Sequence, residues 1–414
     1  MNNRLREEMR LKDIFVSKIN WRQFAPALII VLNSFIWYSL TYILFSNAVD
    51  SLAVSAVDKL IFFTMYFVGT TCSAIIGATL FRRARETCLA LWMLAGTVMT
   101  ALLVTVPYNG TGANTIVSLF LGVSIGIGLP SCLAYFADTT VVERRGTCGG
   151  ITWGGVGIGI LLLALLLGEL DLSSTFLVLA VWRVLGLVSF FLVTRRAGRT
   201  QQAQNTASYG SILRKKEVML YLIPWVMLSL VNFTESPILE NLFGNSYLFV
   251  GFIEYALIGI FALVGGALAD LVGRKRVIIT GFVMLGIGYA VLSLSSGAPF
   301  FWYLYTTCDG IAWGMFSSVF LITLWGDLAE ERAKEKYYVL GGLPFLLAGF
   351  LSVLVKPSVE FIGTVAAFSL ASFFLFLAVL PLVYAPETLP EKEIRKRELK
   401  DYLEKAKKVK GKHA

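Results

Sequence analysis

The chain has 414 residues, 57% of them apolar and 15% charged, with a mean hydropathy of +0.72. Soluble domains carry about 25% charged residues, so this composition excludes an ordinary soluble enzyme or binding domain and indicates a membrane protein. The net charge of +9 is spread over the segments between apolar runs rather than gathered on one surface, so no nucleic-acid partner is expected.

Residues 1–22 are charged and have no small-residue cleavage site ahead of a short apolar core, so the first apolar run is expected to act as the insertion signal. Twelve apolar runs follow, at roughly 23–47, 58–81, 87–107, 115–138, 148–168, 174–194, 218–240, 247–270, 277–296, 299–327, 339–356 and 359–384. Each is close to the ~20 residues that cross about 30 Å of hydrocarbon. In lipid each is expected to be helical, because no other open structure satisfies its own backbone. The period-two alternation of a membrane barrel is absent from the sequence. With both termini in the cytoplasm and the spans alternating, 33 of the 36 Lys and Arg residues fall on the cytoplasmic side. Such a bias sets orientation. The expectation is a multi-pass protein of the cell membrane, monomeric, with both termini cytoplasmic and the lipid bilayer as its surroundings.

The longest polar interruption is 195–217. It divides the chain into a cytoplasmic N-terminal segment (1–22), six spans (23–194), a cytoplasmic linker (195–217), six more spans (218–384) and a charged cytoplasmic tail (385–414). In the tail, Glu391 and Arg395, and Glu393 and Arg397, are spaced i,i+4 and favour a solvated helix, with contact to anionic headgroups as the alternative. Asn109-Gly110-Thr111 is a glycosylation sequon on an external connection. The five cysteines show no paired spacing, and the single histidine, His413, lies in the tail. No metal site and no cofactor are expected. The sequence also lacks a phosphate-binding Gly-x4-Gly-Lys-Ser/Thr loop.

Two landmarks recur at one offset. Gly77-Ala78 leads to Arg85, and Gly266-Ala267 leads to Arg274, 189 residues later. Asp138 followed by Glu143-Arg144 is echoed by Asp327 followed by Glu331-Arg332, again 189 residues later. A shared offset indicates a duplicated membrane unit.

Gly266 through Arg276 resembles the signature loop of the major facilitator superfamily: a small-residue approach, Asp270, two residues, then Gly273, Arg274 and Lys275. Asp138 with Arg145-Gly146 resembles the acidic element that follows the fourth span, and Pro386-Glu387-Thr388 resembles an element of sugar-porter-like members. The resemblance covers the whole chain. It implies an all-α membrane protein with twelve transmembrane helices in two pseudo-symmetric six-helix bundles. It implies a carrier of a small-molecule substrate rather than an enzyme. It also implies that Asp270 lies against the start of the fifth helix, near Gly146–Gly149. Phe81 stands at the first-half position of Asp270, which predicts a weaker or differently built first-half latch. The fifth span lacks the Gly-Pro pair of drug antiporters. The first span lacks the carboxylate, and the fourth the arginine, of several proton–sugar carriers.

A cytoplasmic gate is therefore expected from Asp270, Gly273, Arg274, Asp138, Glu143 and Arg145, with Arg274 paired to Glu143 or Asp138. Charges inside a membrane are costly and default to functional hypotheses. Four stand out: Arg183, Glu235, Glu254 and Asp309. Tyr305, Asp309 and Trp313 share one helix face by their i, i+4, i+8 spacing. The resemblance makes spans one, four, seven and ten the cavity wall. The candidate substrate residues are accordingly Asn33, Trp37, Trp225, Asn232, Glu235, Tyr305, Asp309 and Trp313. Burial favours the uncharged form of a carboxyl group, so Asp309, Glu235 and Glu254 are the candidate proton carriers. The alternatives are an uncoupled facilitator and a non-transporting scaffold or sensor of the same fold. Arg183 and Glu254 are also read as structural ion pairs.

Overall fold

The structure, a computed structural model, describes residues 19–80, 85–105, 110–168, 170–197, 207–330 and 333–390. The expectations placed on residues 1–18, Phe81, Asn109, residues 198–206, Glu331, Arg332 and the tail from Glu391 lie outside the described residues.

Among the described residues twelve helices are long and apolar enough to cross a membrane. In order they are Trp21–Ser51, Ala56–Leu80, Arg85–Val104, Thr111–Thr139, Val142–Leu167, Leu172–Thr194, Lys216–Ser246, Phe249–Val272, Arg274–Leu294, Pro299–Leu328, Lys334–Phe361 and Thr364–Tyr384, called spans one to twelve below. Among the described residues no strand occurs. The protein is an all-helical, multi-pass membrane protein of two six-helix halves. Several helices run past their apolar cores. Span eleven begins a full turn before its apolar run and so carries Lys334 and Glu335 on its first turn.

Spans four and ten are interrupted at repeat-equivalent points. Span four breaks at Ile127–Gly128, just before Pro130. A proline has no N–H to donate, and its ring crowds the carbonyl four residues earlier, here that of Gly126. In span ten, 189 residues on from Ile127, Phe316–Leu321 widens to a π-helix, a feature frequent at functional sites. The Thr323 hydroxyl donates to the Ser318 carbonyl at 2.7 Å and satisfies part of the disturbed backbone.

The halves meet along two seams. Spans five and eight form one, spans two and eleven the other. Glycine makes the first seam close: a Cβ on Gly150 would lie 2.5 Å from the Ala262 carbonyl oxygen. Small residues let helix backbones approach this way in lipid, where packing rather than water exclusion drives association. On the second seam, the rings of Phe67 and Phe350 stand 5.6 Å apart, edge to face.

One end of the bundle gathers the basic loops. Span one starts there, with Phe24 against Phe136 of span four. The described chain also finishes there, where the Tyr221 hydroxyl donates to the Pro386 carbonyl at 2.6 Å. We call this the basic end.

Candidate functional site

Midway along the bundle the halves enclose a cavity of about 220 Å³. From the first half it is lined by Phe35, Tyr38 and Ser39 (span one), Leu133 (four) and Trp153 (five). From the second half come Asn232 (seven), Glu254 and Tyr255 (eight), Trp313 and Ser317 (ten) and Phe345 (eleven). Its walls are mostly apolar, with aromatic and aliphatic side chains in equal number. Glu254 is its one ionisable acid, and no Lys, Arg or His lines it.

Of the candidate substrate residues, Asn232 and Trp313 line this cavity, as does Glu254. Asn33 and Trp37 do not. Each residue of a helix turns about 100°, so positions two before and two after Phe35 point to the opposite face. The Asn33 amide donates to the Trp182 carbonyl at 2.8 Å, and the Trp37 indole donates to the Thr100 hydroxyl at 2.8 Å, both inside the first half. Trp225 shares the helix face of Asn232 but lies seven residues earlier, about 10 Å nearer the basic end. Its indole donates to the Gly341 carbonyl at 2.5 Å and its ring packs on Phe320, wedging spans seven, ten and eleven together.

Tyr305, Asp309 and Glu235 lie inside the second half, behind the cavity wall. The Tyr305 hydroxyl donates to Asp309 at 3.4 Å, and its ring stands 5.2 Å from that of Tyr289. The Asp309 carboxyl is within hydrogen-bonding reach of Glu254, so it meets the cavity through that residue. Glu235 is buried, and one carboxylate oxygen has no partner among the described residues. None of these three acids is ion-paired to a cation among the described residues. Glu254 and Asp309 therefore form an acid–acid contact, not the structural ion pair considered for Glu254.

The first half is the reverse case. Arg183 is fully buried and has no carboxylate partner among the described residues. Its guanidinium lies 4.5 Å from the ring centre of Trp37 and 4.6 Å from that of Trp92, and donates to Asn33 and Ser34 at 3.0 and 2.7 Å. Aromatic faces and neutral acceptors stand in for the ion pair expected of it.

At the basic end, Asp270 accepts hydrogen bonds from the Gly146 N–H (3.0 Å), the Thr147 N–H (2.7 Å) and the Thr147 hydroxyl (2.6 Å). It therefore caps the first turn of span five across the seam, where free N–H groups and the helix dipole favour a negative charge. Arg274 pairs with neither Glu143 nor Asp138. It lies 3.0 Å from Asp270 and 3.0 Å from Asp327, and it donates to the Val142 carbonyl of the first half at 2.5 Å. Asp327 in turn pairs with Arg145 of the first half. The difference has a geometric reason: Asp327 is the repeat copy of Asp138, and Arg274 and its repeat copy Arg85 each take the aspartate of their own half. Glu143 forms no ion pair among the described residues.

A second cluster faces the first across the pseudo-two-fold. Arg85 pairs with Asp138 of its own half and with Glu335 of the other, and Lys334 pairs with Asp138. Arg85, Asp138 and Lys334 are the repeat copies of Arg274, Asp327 and Arg145. Two clusters, not one, hold the basic end.

No protein-family model matches the sequence, and no curated protein does. Among solved structures the chain is similar to the human organic anion transporter MFSD10 (TETRAN), at 15% identity, with a TM-score of 0.64 over 87% of this chain and 99% of that one. The chain has the major facilitator fold. At that identity the likeness carries the architecture and not the cargo.

Within the major facilitator fold, several working residues escaped the sequence. Glu335 had no signature, although the 189 offset pointed at its neighbour Lys334. Tyr38, Ser39 and Trp153 were legible only by helical phase against Trp313. The Pro-Glu-Thr element has a local task. Glu387 accepts the Arg274 and Lys275 N–H groups at 2.8 and 3.2 Å, and the Thr388 and Leu389 N–H groups at 2.9 and 3.0 Å. It thus holds the signature loop at Gly273, whose φ of +105° suits only glycine. An element with that structural duty says nothing about sugars.

Proposed function

We propose that the protein is a secondary transporter that moves a small organic solute by alternating access, with coupling to protons. The observation that supports this best is the apolar cavity between two halves that are joined by unlike closures at their two ends. At the basic end the ties are buried ion clusters. At the other end the one ion pair between the halves among the described residues is Lys356 with Asp50 at 3.1 Å; Lys356 also reaches Glu240 of its own half at 3.5 Å, and all three side chains are exposed. That end also holds an open vestibule of about 670 Å³. Rocking one half against the other about the glycine seam would exchange which end is open. The positive bias supports a cytoplasmic basic end.

Proton coupling is assigned to Glu254 and Asp309, with Glu235 behind them. Three acids with no paired cation among the described residues balance their charge most cheaply with protons, because charge within the membrane is expensive. The test is solute uptake into proteoliposomes driven by a pH gradient. Asp309→Asn should lower pH-driven uptake at least about tenfold, the scale of one lost acid–base participant. Unchanged pH-driven uptake in Asp309→Asn, Glu235→Gln and Glu254→Gln would leave an uncoupled facilitator. The absence of flux for every solute on a broad panel would leave a scaffold or sensor.

A further inference from the structure

The chemistry of the cavity bears on the class of solute, and this inference rests on the transport reading above. The walls present the rings of Phe35, Tyr38, Trp153, Tyr255, Trp313 and Phe345. Aromatic faces attract cations through the ring quadrupole, most strongly where water is excluded. The one charged side chain among the lining residues is the acid Glu254. Arg183, at the middle of span six, is not among them and is held by Trp37, Trp92, Asn33 and Ser34. An organic anion entering this cavity would meet a carboxyl group and no basic partner. A neutral solute would leave Glu254 unused. The volume, about 220 Å³, compares with roughly 150 Å³ for a cavity that holds one benzene, so it suits one ring with a short charged arm.

We propose that the cavity binds a single-ring organic cation, an amine or quaternary ammonium, with its charge against Glu254, in exchange for one proton. In the empty site Glu254 and Asp309 each hold a proton, and one carboxyl donates to the other. The cation displaces the Glu254 proton to solvent, the carboxylate–ammonium contact replaces the carboxyl–carboxyl hydrogen bond, and Asp309 keeps its proton. One positive charge enters and one leaves, so the net charge of the site is unchanged. The titratable groups that interact with Glu254 are Asp309 and Tyr305 on span ten, Tyr289 on span nine, and Tyr247 and Tyr255 on its own helix, Tyr247–Val272. Tyr38 of span one lines the same cavity.

The test uses the purified full chain in weakly buffered detergent near neutral pH. The probes are benzyltrimethylammonium, which has no proton to give, and phenylacetate, a single-ring anion. Binding is followed by calorimetry and proton release by a pH dye. Benzyltrimethylammonium should bind and release about one proton per cation. Glu254→Gln should weaken binding at least about tenfold, equivalent to about 1.4 kcal/mol, and abolish proton release with its thermal midpoint retained. Glu254→Asp should keep measurable binding, which separates lost charge from lost fold. Phenylacetate binding as tightly as the cation would overturn the proposal. Undiminished cation binding by Glu254→Gln would also overturn it. If the cation binds but proteoliposomes carry no flux of any solute, the transport reading fails and the site assignment stands. If other solutes are carried and benzyltrimethylammonium does not bind, the assignment alone fails.

Discussion

The two ion clusters at the basic end come from one ancestral unit and now solve the same problem differently. Each has an arginine (Arg85 or Arg274), an aspartate of the same half (Asp138 or Asp327) and a cation from the opposite half (Lys334 or Arg145). Each needs a second carboxylate to balance two cations against two acids. In the Arg274 cluster this is Asp270, on the same half, which reaches across the seam to cap span five. In the Arg85 cluster it is Glu335, donated by the opposite half. Both clusters are neutral. The acid missing at position 81 has been replaced from the other side of the seam. Charge balance was kept where residue position was not, as expected of groups taken out of water. The exchange also changes what crosses the seam. The Arg85 cluster is joined by two ion pairs, Lys334–Asp138 and Glu335–Arg85. The Arg274 cluster is joined by one ion pair, Arg145–Asp327, and by backbone hydrogen bonds. The Arg274 cluster is the drier of the two: its Asp327 side chain is 0% exposed, against 22% for Asp138.

Asp270→Asn should have the largest effect on the closed state. It strips the charge from three hydrogen bonds and from the partner of a fully buried arginine, and breaking such a pair costs about 3 kcal/mol or more. The check is amide exchange over residues 142–150, where the Gly146 and Thr147 amides should lose protection. Unchanged protection would deny Asp270 its capping role. Glu335→Gln should cost less, about 2 kcal/mol, because among the described residues Glu335 pairs with Arg85 alone, whereas Asp270 also caps span five. The clusters have no residue in common, so in the double variant the two losses should add to within about 0.5 kcal/mol. A large departure from additivity, measured by thermal unfolding, would mean that the clusters act as one unit. Gly150→Ala should cost about 1 kcal/mol or slightly more, because the new Cβ must push spans five and eight apart. Closure should weaken without a change in either cluster's salt dependence. Lys356→Gln at the opposite end should cost less than about 1 kcal/mol, and the loss should vanish in high salt, as for exposed ion pairs. A Lys356 effect as large as that of Asp270 would erase the contrast between buried and exposed closures.

The twelve helices were legible from hydropathy, because apolar runs of this length have one way to satisfy their backbone in lipid. The repeat offset located the arginines and aspartates of both clusters. The pairing within them was not legible. Whether Arg274 meets Asp138 or Asp327 is decided by tertiary packing, and both acids stand at the same repeat position. The cavity was half legible. Asn232 and Trp313 line the cavity, whereas Glu235, Tyr305 and Asp309 on the same two spans lie behind its wall. Asn33 and Trp37 were chosen for their chemistry on a span whose cavity face, set by Phe35 and Tyr38, is about 200° away. Glu254 reaches the cavity because span eight packs on span five through glycine, which brings a helix thought less central up to the wall.

The central claim is that the basic end is a gate held shut by two charge-neutral clusters. The most direct measurement is the reaction rate of a single cysteine at Leu321, a cavity-lining position on the π-helical part of span ten, with a membrane-impermeant maleimide applied from the basic end, in an otherwise cysteine-free chain. We predict slow labelling with both clusters intact, faster labelling in Glu335→Gln, faster still in Asp270→Asn, and fastest in the double variant. Equal rates in all four proteins would contradict the gate.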